Sequence, residues 1–407
     1  MGWNSWDAYG TNVREEEILA NAKAMEDLLL PSGYDTIVVD HQWYDPLAAP
    51  GPYIGDWQAL HLDSFGRLLP DPVRFPSSAG GIGFKPLAKA VQARGLRFGL
   101  HLMRGVPRKA VAEKSPIEGS SYNCAEIADT TSTCSWNNDM WGLNPDHPGA
   151  QAYVDSVVRL FADWGVDFIK ADDMMNAPYH GPEISLLRRA IEATGRRITL
   201  SLSPAANEVT WMAGQLHREV DMWRISGDLW DNWHTVRRMF DLAAIWCWQQ
   251  KEGRWPDCDM LPLGRIGIRA QHGPDRPTRL TPDEQQTLMT FWGLFRSPLF
   301  MGGDLPSLRD DPETLSLLTD PFLLRMHREG RQPRPYAMDG NRIVWRSGAP
   351  EGGSFYGAFN LSDQPKDFAD LLPDQPQALE EIPPHGCRSW EAAGESAALE
   401  RDYALIP

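Results

Sequence analysis

Two segments of the 407-residue sequence end in carboxylates where a nucleophile and a proton donor could act. An apolar, strand-like run ends in Lys170, Asp172 and Asp173. A lysine two positions before a carboxylate favours its ionised form, which a nucleophile needs. A second strand-like run carries Arg224 and leads to Asp228, with tryptophans on both sides. Two carboxylates on two strand ends, with aromatic walls, are what cleavage of a glycosidic bond requires.

These carboxylates also have structural interpretations. Asp172 could form only an ion pair with Lys170, and Asp173 is expected to organise the loop that follows. Asp231 is an alternative proton donor to Asp228, because both lie in the same loop.

Two histidines raise the alternative of a metal site. His41 and His101 could bind a metal ion together with Asp40 and Asp172, as in metal-dependent hydrolase barrels. The His-x-His signature of such a site after the first strand is missing, and no CxxC or other zinc-ligand spacing occurs. We therefore predict that no metal is bound.

The elements that must position these residues alternate between strand and helix for about three-quarters of the chain. Helical patterns separate the strand-like runs, and polar residues repeatedly follow the strands, which favours a (β/α)8 TIM barrel. An open doubly wound sheet would need a glycine-rich phosphate turn after its first strand, and residues 40–43 do not form one. The strand-like runs cover residues 35–40, 97–102, 167–173, 197–203, 221–226, 257–261 and 298–303.

The pattern of the sequence changes after Gly330. Residues 331–335 are linker-like, and the short alternating runs that follow are typical of a small antiparallel β-sandwich. We therefore predict two domains, a catalytic (β/α)8 barrel over residues 1–330 and a C-terminal β-sandwich over residues 331–407.

Composition narrows the class of partner. The formal charge of −16, with no compensating basic stripe, argues against nucleic acid or a membrane surface as the partner. No run is long and apolar enough to span a bilayer. The seventeen tryptophans could stack on sugar faces or belong to the core. Cys124 and Cys134 are close enough in sequence to close a small loop, and their pairing stays open.

Several ordered motifs together carry a resemblance to a known family. The chain resembles glycoside hydrolase family 27, the α-galactosidase and α-N-acetylgalactosaminidase family, over the whole barrel and the C-terminal region. The motifs are Gly2-Trp3-Asn4-Ser5-Trp6, Trp43, Lys170-Ala171-Asp172, Trp223-Arg224 with Asp228, the run 255–261 and the run 296–304.

The resemblance implies a mechanism and a set of roles. It places the nucleophile at Asp172 and the acid/base at Asp228, and it implies double displacement with retention and acids about 5–5.5 Å apart. It implies no cofactor, metal or organic, and an oligosaccharide or other glycoside as the substrate. Cys258 lies within one of its motifs, and we expect a buried free thiol there. The residues expected to bind the substrate are Trp6, Asp40, His41, His101, Lys170, Ser203, Arg224, Asp259 and Met260.

Three pocket positions depart from the family pattern. His41 replaces the second of two adjacent acids, His101 replaces a tyrosine, and Ser203 replaces a glutamate that reads the 2-hydroxyl. Ser203, followed by Pro204 and Ala205, is smaller than glutamate and so leaves more space around C2 of the sugar. The reaction type is therefore better determined than the sugar.

The resemblance favours a retaining exo-α-glycosidase for terminal α-D-galactosyl residues. The alternatives with the same chemistry are an α-N-acetylgalactosaminidase, a β-L-arabinopyranosidase and an isomaltose-releasing dextranase. A sugar-binding protein without turnover is a rival of another class, and a homo-oligomer stays open. Because the chain opens directly on the first motif, its N-terminus looks trimmed, which favours a periplasmic or secreted protein.

Overall fold

The computed structural model describes residues 1–51, 53–203, 209–371 and 381–393. Its strands are, in chain order, β1 (Gly2–Asn4), β2 (Thr36–Val39), β3 (Arg97–Met103), β4 (Val106–Pro107), β5 (Ala128–Asp129), β6 (Met140–Leu143), β7 (Phe168–Asp172), β8 (Thr199–Leu202), β9 (Met222–Arg224), β10 (Trp255–Asp257), β11 (Arg265–Ile266), β12 (Arg276–Pro277), β13 (Phe300–Met301), β14 (Arg331–Asp339), β15 (Arg342–Gly348), β16 (Ser354–Asn360) and β17 (Cys387–Ala392). Its α-helices are α1 (Trp6–Tyr9), α2 (Glu15–Leu28), α3 (Lys85–Gln92), α4 (Arg108–Glu113), α5 (Cys124–Ile127), α6 (Pro148–Trp164), α7 (Gly181–Ala193), α8 (Ala213–Glu219), α9 (Trp233–Trp246), α10 (Pro282–Phe295), α11 (Pro312–Leu318) and α12 (Pro321–Glu329).

Eight strands form one parallel sheet in the order β10-β9-β8-β7-β3-β2-β1-β13. The sheet closes on itself just after β10, where Leu261 pairs in parallel with Met301 of β13. The Leu261 N–H donates to the carbonyl of Phe300 at 2.7 Å, and the Gly302 N–H donates to the carbonyl of Leu261 at 2.9 Å. The predicted (β/α)8 barrel is therefore confirmed.

The strand register brings the candidate residues to one level. Lys170 of β7 lies opposite His101 of β3 on one side and Ser201 of β8 on the other. Asp172 ends β7 beside Met103, the last residue of β3. Because parallel strands end at the same edge of a barrel, their polar C-terminal residues converge there.

Helix boundaries follow the local signals in the sequence. Gly165 follows the helical pattern of residues 149–164 in the sequence and therefore predicts the end of α6. In the structure it has φ +93° and donates its N–H to the carbonyls of Phe161 and Ala162. The spacing of Asn12 and Glu15 in the sequence predicts a capping box at the start of α2, and this prediction is wrong. The Arg14 N–H bonds to the Glu17 carboxylate at 2.9 Å instead, so the cap lies two residues later.

The strand count also needs one correction. β1 has only three residues, too few for a recognisable apolar run, and the sequence pattern misses it. Asp40 and His41 therefore follow the second barrel strand rather than the first. The predicted strand over 257–261 ends at Asp257, because Asp259 has φ +82°, which breaks strand geometry.

The C-terminal region forms a four-stranded antiparallel sheet in the order β14-β15-β16-β17. One face packs on the barrel helices, with the Trp345 ring 5.2 Å from Phe291 and the Phe359 ring 5.1 Å from Phe240. Phe368 and Ile382 cover the other face, where Lys366 and Ile382 exchange two backbone hydrogen bonds. The predicted class was a (β/α)8 barrel followed by a small antiparallel β-sandwich. The structure confirms the barrel and the antiparallel C-terminal region, which among the described residues is one four-stranded sheet.

Three further features bear on the predictions from sequence. All five cysteines are buried free thiols, so Cys124 and Cys134 form no disulfide, and Cys258 is the expected buried thiol. Among the described residues, no helix has the length and apolar character needed to cross a membrane. A three-stranded antiparallel sheet, β4-β6-β5, is formed by the segment between β3 and α6.

Candidate active site

Asp172 lies at the C-terminal end of β7 with both carboxylate oxygens oriented by hydrogen bonds. Oδ2 accepts from Nε2 of His101 at 2.9 Å, and Oδ1 accepts from the Asp173 N–H at 2.7 Å. Burial would raise the pKa of Asp172, but the hydrogen bond and charge of His101, the charge of Lys170 and the Asp173 N–H outweigh it. The pKa of Asp172 therefore lies below its ordinary value. An ionised, oriented carboxylate at a strand end suits nucleophilic attack.

His101 is held rigidly by the strand beneath it. Its side chain is 0% exposed, and the Trp43 indole donates to the His101 carbonyl at 2.9 Å. Because the Asp172 carboxylate can only accept, Nε2 of His101 carries the proton between them.

Asp40 and Lys170 form a second buried pair beside Asp172. Oδ2 of Asp40 accepts from Nζ of Lys170 at 2.8 Å and from Nδ2 of Asn4 at 2.6 Å. Burial would raise the pKa of Asp40, but the charges of Lys170 and His101 and the hydrogen bonds hold it well below its ordinary value. An anionic acceptor next to a cationic donor can grip adjacent sugar hydroxyls.

Arg224 organises the third part of the site. Its guanidinium pairs with Oδ1 of Asp259 at 2.7 Å and donates to Oδ1 of Asp228 at 3.2 Å and to the Gly227 carbonyl at 2.5 Å. Burial lowers the pKa of Arg224, but the charges of Asp259, Asp228 and Asp257 raise it above its ordinary value. Arg224 therefore stays charged and fixes the loop that carries Asp228.

The environment of Asp228 differs from that of Asp172. Its side chain is 47% exposed, whereas the Asp172 side chain is 12% exposed. A carboxyl group open to solvent can exchange protons with water, as a general acid/base must.

The competing acids are occupied by arginines. Arg104 donates to Oδ2 of Asp173 from both Nε and Nη2, at 3.1 and 2.9 Å, so Asp173 organises its loop as expected. Asp231 is buried and accepts two hydrogen bonds from Arg276 and one from the Arg279 N–H. These two acids therefore have structural roles.

Aromatic rings form a wall beside His41. The Trp6 ring lies 5.3 Å from the Tyr53 ring, and the His41 ring lies 5.3 Å from Trp136 and 4.9 Å from His101. Burial and the charge of His101 lower the pKa of His41 to about 3, against the charges of Asp172 and Asp40. His41 is therefore a neutral imidazole at the position where the family pattern has an acid.

The remaining predicted binding residues lie at the same end of the barrel. Met260 belongs to the buried apolar cluster that includes Trp6 and Tyr53. Ser203 follows β8, is buried, and donates its N–H to the Ala171 carbonyl at 2.9 Å. Pro204 and Ala205, which follow it, lie outside the described residues. The roles assigned to all these side chains stay predictions.

The sequence pattern gives no sign of three buried polar residues in this region. Tyr53 and Asn137 come from two different loops and meet where Nδ2 of Asn137 donates to the Tyr53 carbonyl at 3.0 Å. Asp7 follows Trp6 and has a carboxylate oxygen without a hydrogen-bond partner in the described structure. Burial, with the charges of Asp259 and Asp228, raises the pKa of Asp7 well above its ordinary value. An acid in the first turn of a helix is too common to predict such a site.

Metal-binding groups do not assemble at this site. Among the described residues, no group of three or more histidine, cysteine or acidic side chains could hold a metal ion. Asp172 and Asp40, the two acids of the alternative metal site, already accept hydrogen bonds from His101 and Lys170, respectively.

Solved structures resemble this arrangement over the whole chain. A GH27 β-L-arabinopyranosidase from Geobacillus stearothermophilus is 41% identical, with a TM-score of 0.91 over 97% of this chain and 96% of that protein. The chain belongs to glycoside hydrolase family 27. It is therefore a glycoside hydrolase, as the order of its motifs predicts.

Other family-27 comparisons agree. A family model described as alpha galactosidase A matches residues 143–323, which include both candidate catalytic acids. Alpha-galactosidase 2 of Arabidopsis thaliana is 27% identical over 351 residues, covering 85% of this chain and 71% of that protein. Alpha-galactosidase I of Mortierella vinacea, at 20% identity and a TM-score of 0.69, shares the fold over 98% of both chains.

Proposed function

We propose that this family-27 enzyme releases terminal β-L-arabinopyranosyl residues by double displacement with retention of configuration. β-L-Arabinopyranose has the ring-hydroxyl configuration of α-D-galactopyranose but carries hydrogen in place of the hydroxymethyl group. A pocket for β-L-arabinopyranose therefore needs the same groups to bind the ring hydroxyls as a pocket for galactose. It needs less space and fewer polar groups where the hydroxymethyl group of galactose would lie.

The observation that carries this proposal is the replacement of an acid by His41 inside the aromatic wall. His41 is neutral and buried, and Tyr53, Trp6 and Trp136 enclose it. An anionic carboxylate could accept a hydrogen bond from the hydroxymethyl group of a galactoside. A neutral imidazole packed among aromatic rings is a weaker acceptor and leaves less room for that group. The 41% identity to an arabinopyranosidase over nearly the whole chain supports the same sugar.

The proposed chemistry divides between the two acids. The Asp172 carboxylate attacks the anomeric carbon while Asp228 protonates the departing glycosidic oxygen. Water then attacks the glycosyl ester, and Asp228 accepts its proton as the ester bond to Asp172 breaks. Asp40 and Lys170 hold ring hydroxyls, and Trp6 lies against the apolar face of the sugar.

The test compares 4-nitrophenyl β-L-arabinopyranoside with 4-nitrophenyl α-D-galactopyranoside under identical conditions. We expect kcat/KM to be at least about tenfold higher for the arabinopyranoside, on the scale of one extra group in a closed pocket. A higher kcat/KM for the galactoside contradicts the proposed sugar. Proton NMR of the first-formed product tests retention, because inversion would require acids spaced for an intervening water.

The α-D-galactoside is the second candidate. The family model and the plant relative both carry the name alpha-galactosidase, and the two sugars share their ring stereochemistry. The same pair of substrates distinguishes the two candidates.

A further inference from the structure

Tyr53 carries a buried hydroxyl group with nothing to bond to. The residue is 8% exposed, and its phenol oxygen has no hydrogen-bond partner in the part of the chain that the structure describes. Buried polar groups are nearly always paired, so an unpaired hydroxyl in a pocket wall indicates a ligand that supplies the partner.

The phenol lies in the buried cluster that contains Trp6 and Met260, beside the candidate site. Its ring packs against Trp6 at 5.3 Å and against His41 at 6.0 Å, two residues predicted to bind the substrate. Burial and the negative charges of Asp228 and Asp40 raise its pKa above the ordinary value. The hydroxyl therefore keeps its proton and lies in the field of both acids.

The loop that carries Tyr53 is fastened to a second loop. Nδ2 of Asn137 donates to the Tyr53 carbonyl at 3.0 Å. Asn138 and Gly55 exchange two hydrogen bonds of 2.9 Å each, between the Asn138 amide and the Gly55 backbone. Three hydrogen bonds thus hold the backbone around Tyr53, which reduces the entropy lost when its side chain meets a ligand.

A second buried polar atom, Nδ1 of His41, also lacks a hydrogen-bond partner among the described residues. Nδ2 of Asn137, which can only donate, lies 3.3 Å from Nε2 of His41. The orientation of this amide is fixed, because its Oδ1 accepts from the Asp139 N–H at 2.9 Å. The two hydrogens on Nδ2 of Asn137 are directed to the Tyr53 carbonyl at 3.0 Å and to Oδ2 of Asp139 at 2.9 Å, so this amide makes its shorter bonds elsewhere and His41 keeps an unpaired ring nitrogen.

We propose that Tyr53 is a substrate-binding residue whose hydroxyl, close to the unpartnered Nδ1 of His41, donates to an oxygen of the bound sugar. The Tyr53 ring closes the pocket wall and so disfavours a sugar that carries a hydroxymethyl group. The second statement rests on the proposed function, whereas the hydrogen bond is expected for either sugar.

The first test removes only the hydroxyl. Tyr53→Phe should lower kcat/KM about tenfold on the preferred glycoside and weaken competitive inhibition by the free sugar by a similar factor. Its Tm should stay equal to that of the wild type or rise, because no bond within the protein is lost. Unchanged kcat/KM and unchanged inhibition would overturn the proposal.

A matched control is available in Tyr34. It is fully buried, and its hydroxyl donates to the Leu318 carbonyl at 3.0 Å, away from the barrel mouth. Tyr34→Phe should lower Tm and leave both kinetic constants unchanged. If Tyr53→Phe behaves like Tyr34→Phe, the Tyr53 hydroxyl is structural and the proposal is wrong.

The second test removes the ring. Tyr53→Ala should raise the ratio of kcat/KM for the α-D-galactoside to that for the β-L-arabinopyranoside by at least about tenfold. An unchanged ratio would refute the role in selectivity. If the wild type prefers the galactoside, the proposed function fails, yet Tyr53→Phe tested on that galactoside still decides the hydrogen bond.

Discussion

His101 of β3 donates from Nε2 to Oδ2 of Asp172, the last residue of the adjacent barrel strand β7, at 2.9 Å. The bond is buried, because His101 is 0% exposed. A carboxylate held in this way is both aimed and kept ionised, which are the two requirements of a nucleophile. His101, where the family pattern has a tyrosine, is therefore a positioning residue for the candidate nucleophile.

Replacement of His101 by phenylalanine should move the acid limb of the activity profile to higher pH. Asp172 acts as its ionised form, so activity is present above its pKa and is lost as pH falls through it. Removal of the His101 hydrogen bond takes away the largest influence that lowers this pKa, and burial then raises it. The dependence of kcat/KM on pH between 4 and 8 measures the shift.

The control for this prediction is a histidine outside the site. His217 contacts Gln249 at 3.2 Å and packs on Trp223. His217→Phe should leave the acid limb in place. An unmoved limb in His101→Phe would show that Asp172 does not set it.

Asp172→Asn should abolish turnover, by roughly a thousandfold or more, with both good and poor leaving groups. The neighbouring substitution Asp173→Asn should instead lower Tm, because Asp173 pairs with the buried Arg104. Thermal unfolding and kcat/KM measured on both variants separate the two roles. A fully active Asp172→Asn variant would contradict the proposed nucleophile.

Asp228→Asn should affect substrates according to their leaving groups. Natural glycosides need a proton on the departing oxygen and should lose about 10²–10⁴ in kcat/KM, whereas nitrophenyl glycosides should lose far less in the first step. Asp231→Asn serves as the comparison, because Asp231 bonds to Arg276 and not to the substrate. This variant should lower Tm and should change kcat/KM by the same factor for both kinds of substrate. Equal losses on both substrate types in Asp228→Asn would assign proton donation elsewhere.

Asp7→Asn should stabilise the protein, and the gain should grow as pH rises from 4 to 8. Burial and the charges of Asp259 and Asp228 raise the pKa of Asp7 in the folded state. Between the unfolded pKa, about 3.9, and the higher folded value, the folded chain holds a proton that the unfolded chain releases, so wild-type stability falls with pH. Because the asparagine side chain does not ionise, the Asp7→Asn variant does not lose this stability as pH rises.

Thermal unfolding at pH 4, 6 and 8 measures the effect of Asp7→Asn. The exposed Asp146 provides the control, and Asp146→Asn should change Tm by the same small amount at each pH. A gain for Asp7→Asn that does not depend on pH would show that Asp7 is ionised in the folded protein.

The sequence predicts the barrel because its strands are short apolar runs that end in polar residues. The run before Asp172 and the glycine that stops α6 are local signals, and the structure reproduces both. β1 was missed because three residues cannot display a period. The ordered motifs then identify the family, which the comparisons confirm.

The contact between Tyr53 and Asn137 cannot be predicted from the sequence pattern. Tyr53 and Asn137 are 84 residues apart, and their contact depends on how two long loops fold over the barrel mouth. Neither loop has a repeating pattern, because irregular segments are determined by individual hydrogen bonds rather than by periodicity. Asp7 and Asp139 are ordinary acids in the sequence, and only their burial distinguishes them.

The bonds between residues 53–55 and 137–138 have a practical consequence for protein engineering. Each segment supplies hydrogen-bond partners for the other. A chimera that takes only one segment from a relative would leave the side-chain amides of Asn137 and Asn138, or the backbone near Tyr53, without hydrogen-bond partners. Recombination among relatives should therefore exchange the two segments as one inherited unit, and libraries that shuffle them independently should yield mostly inactive members.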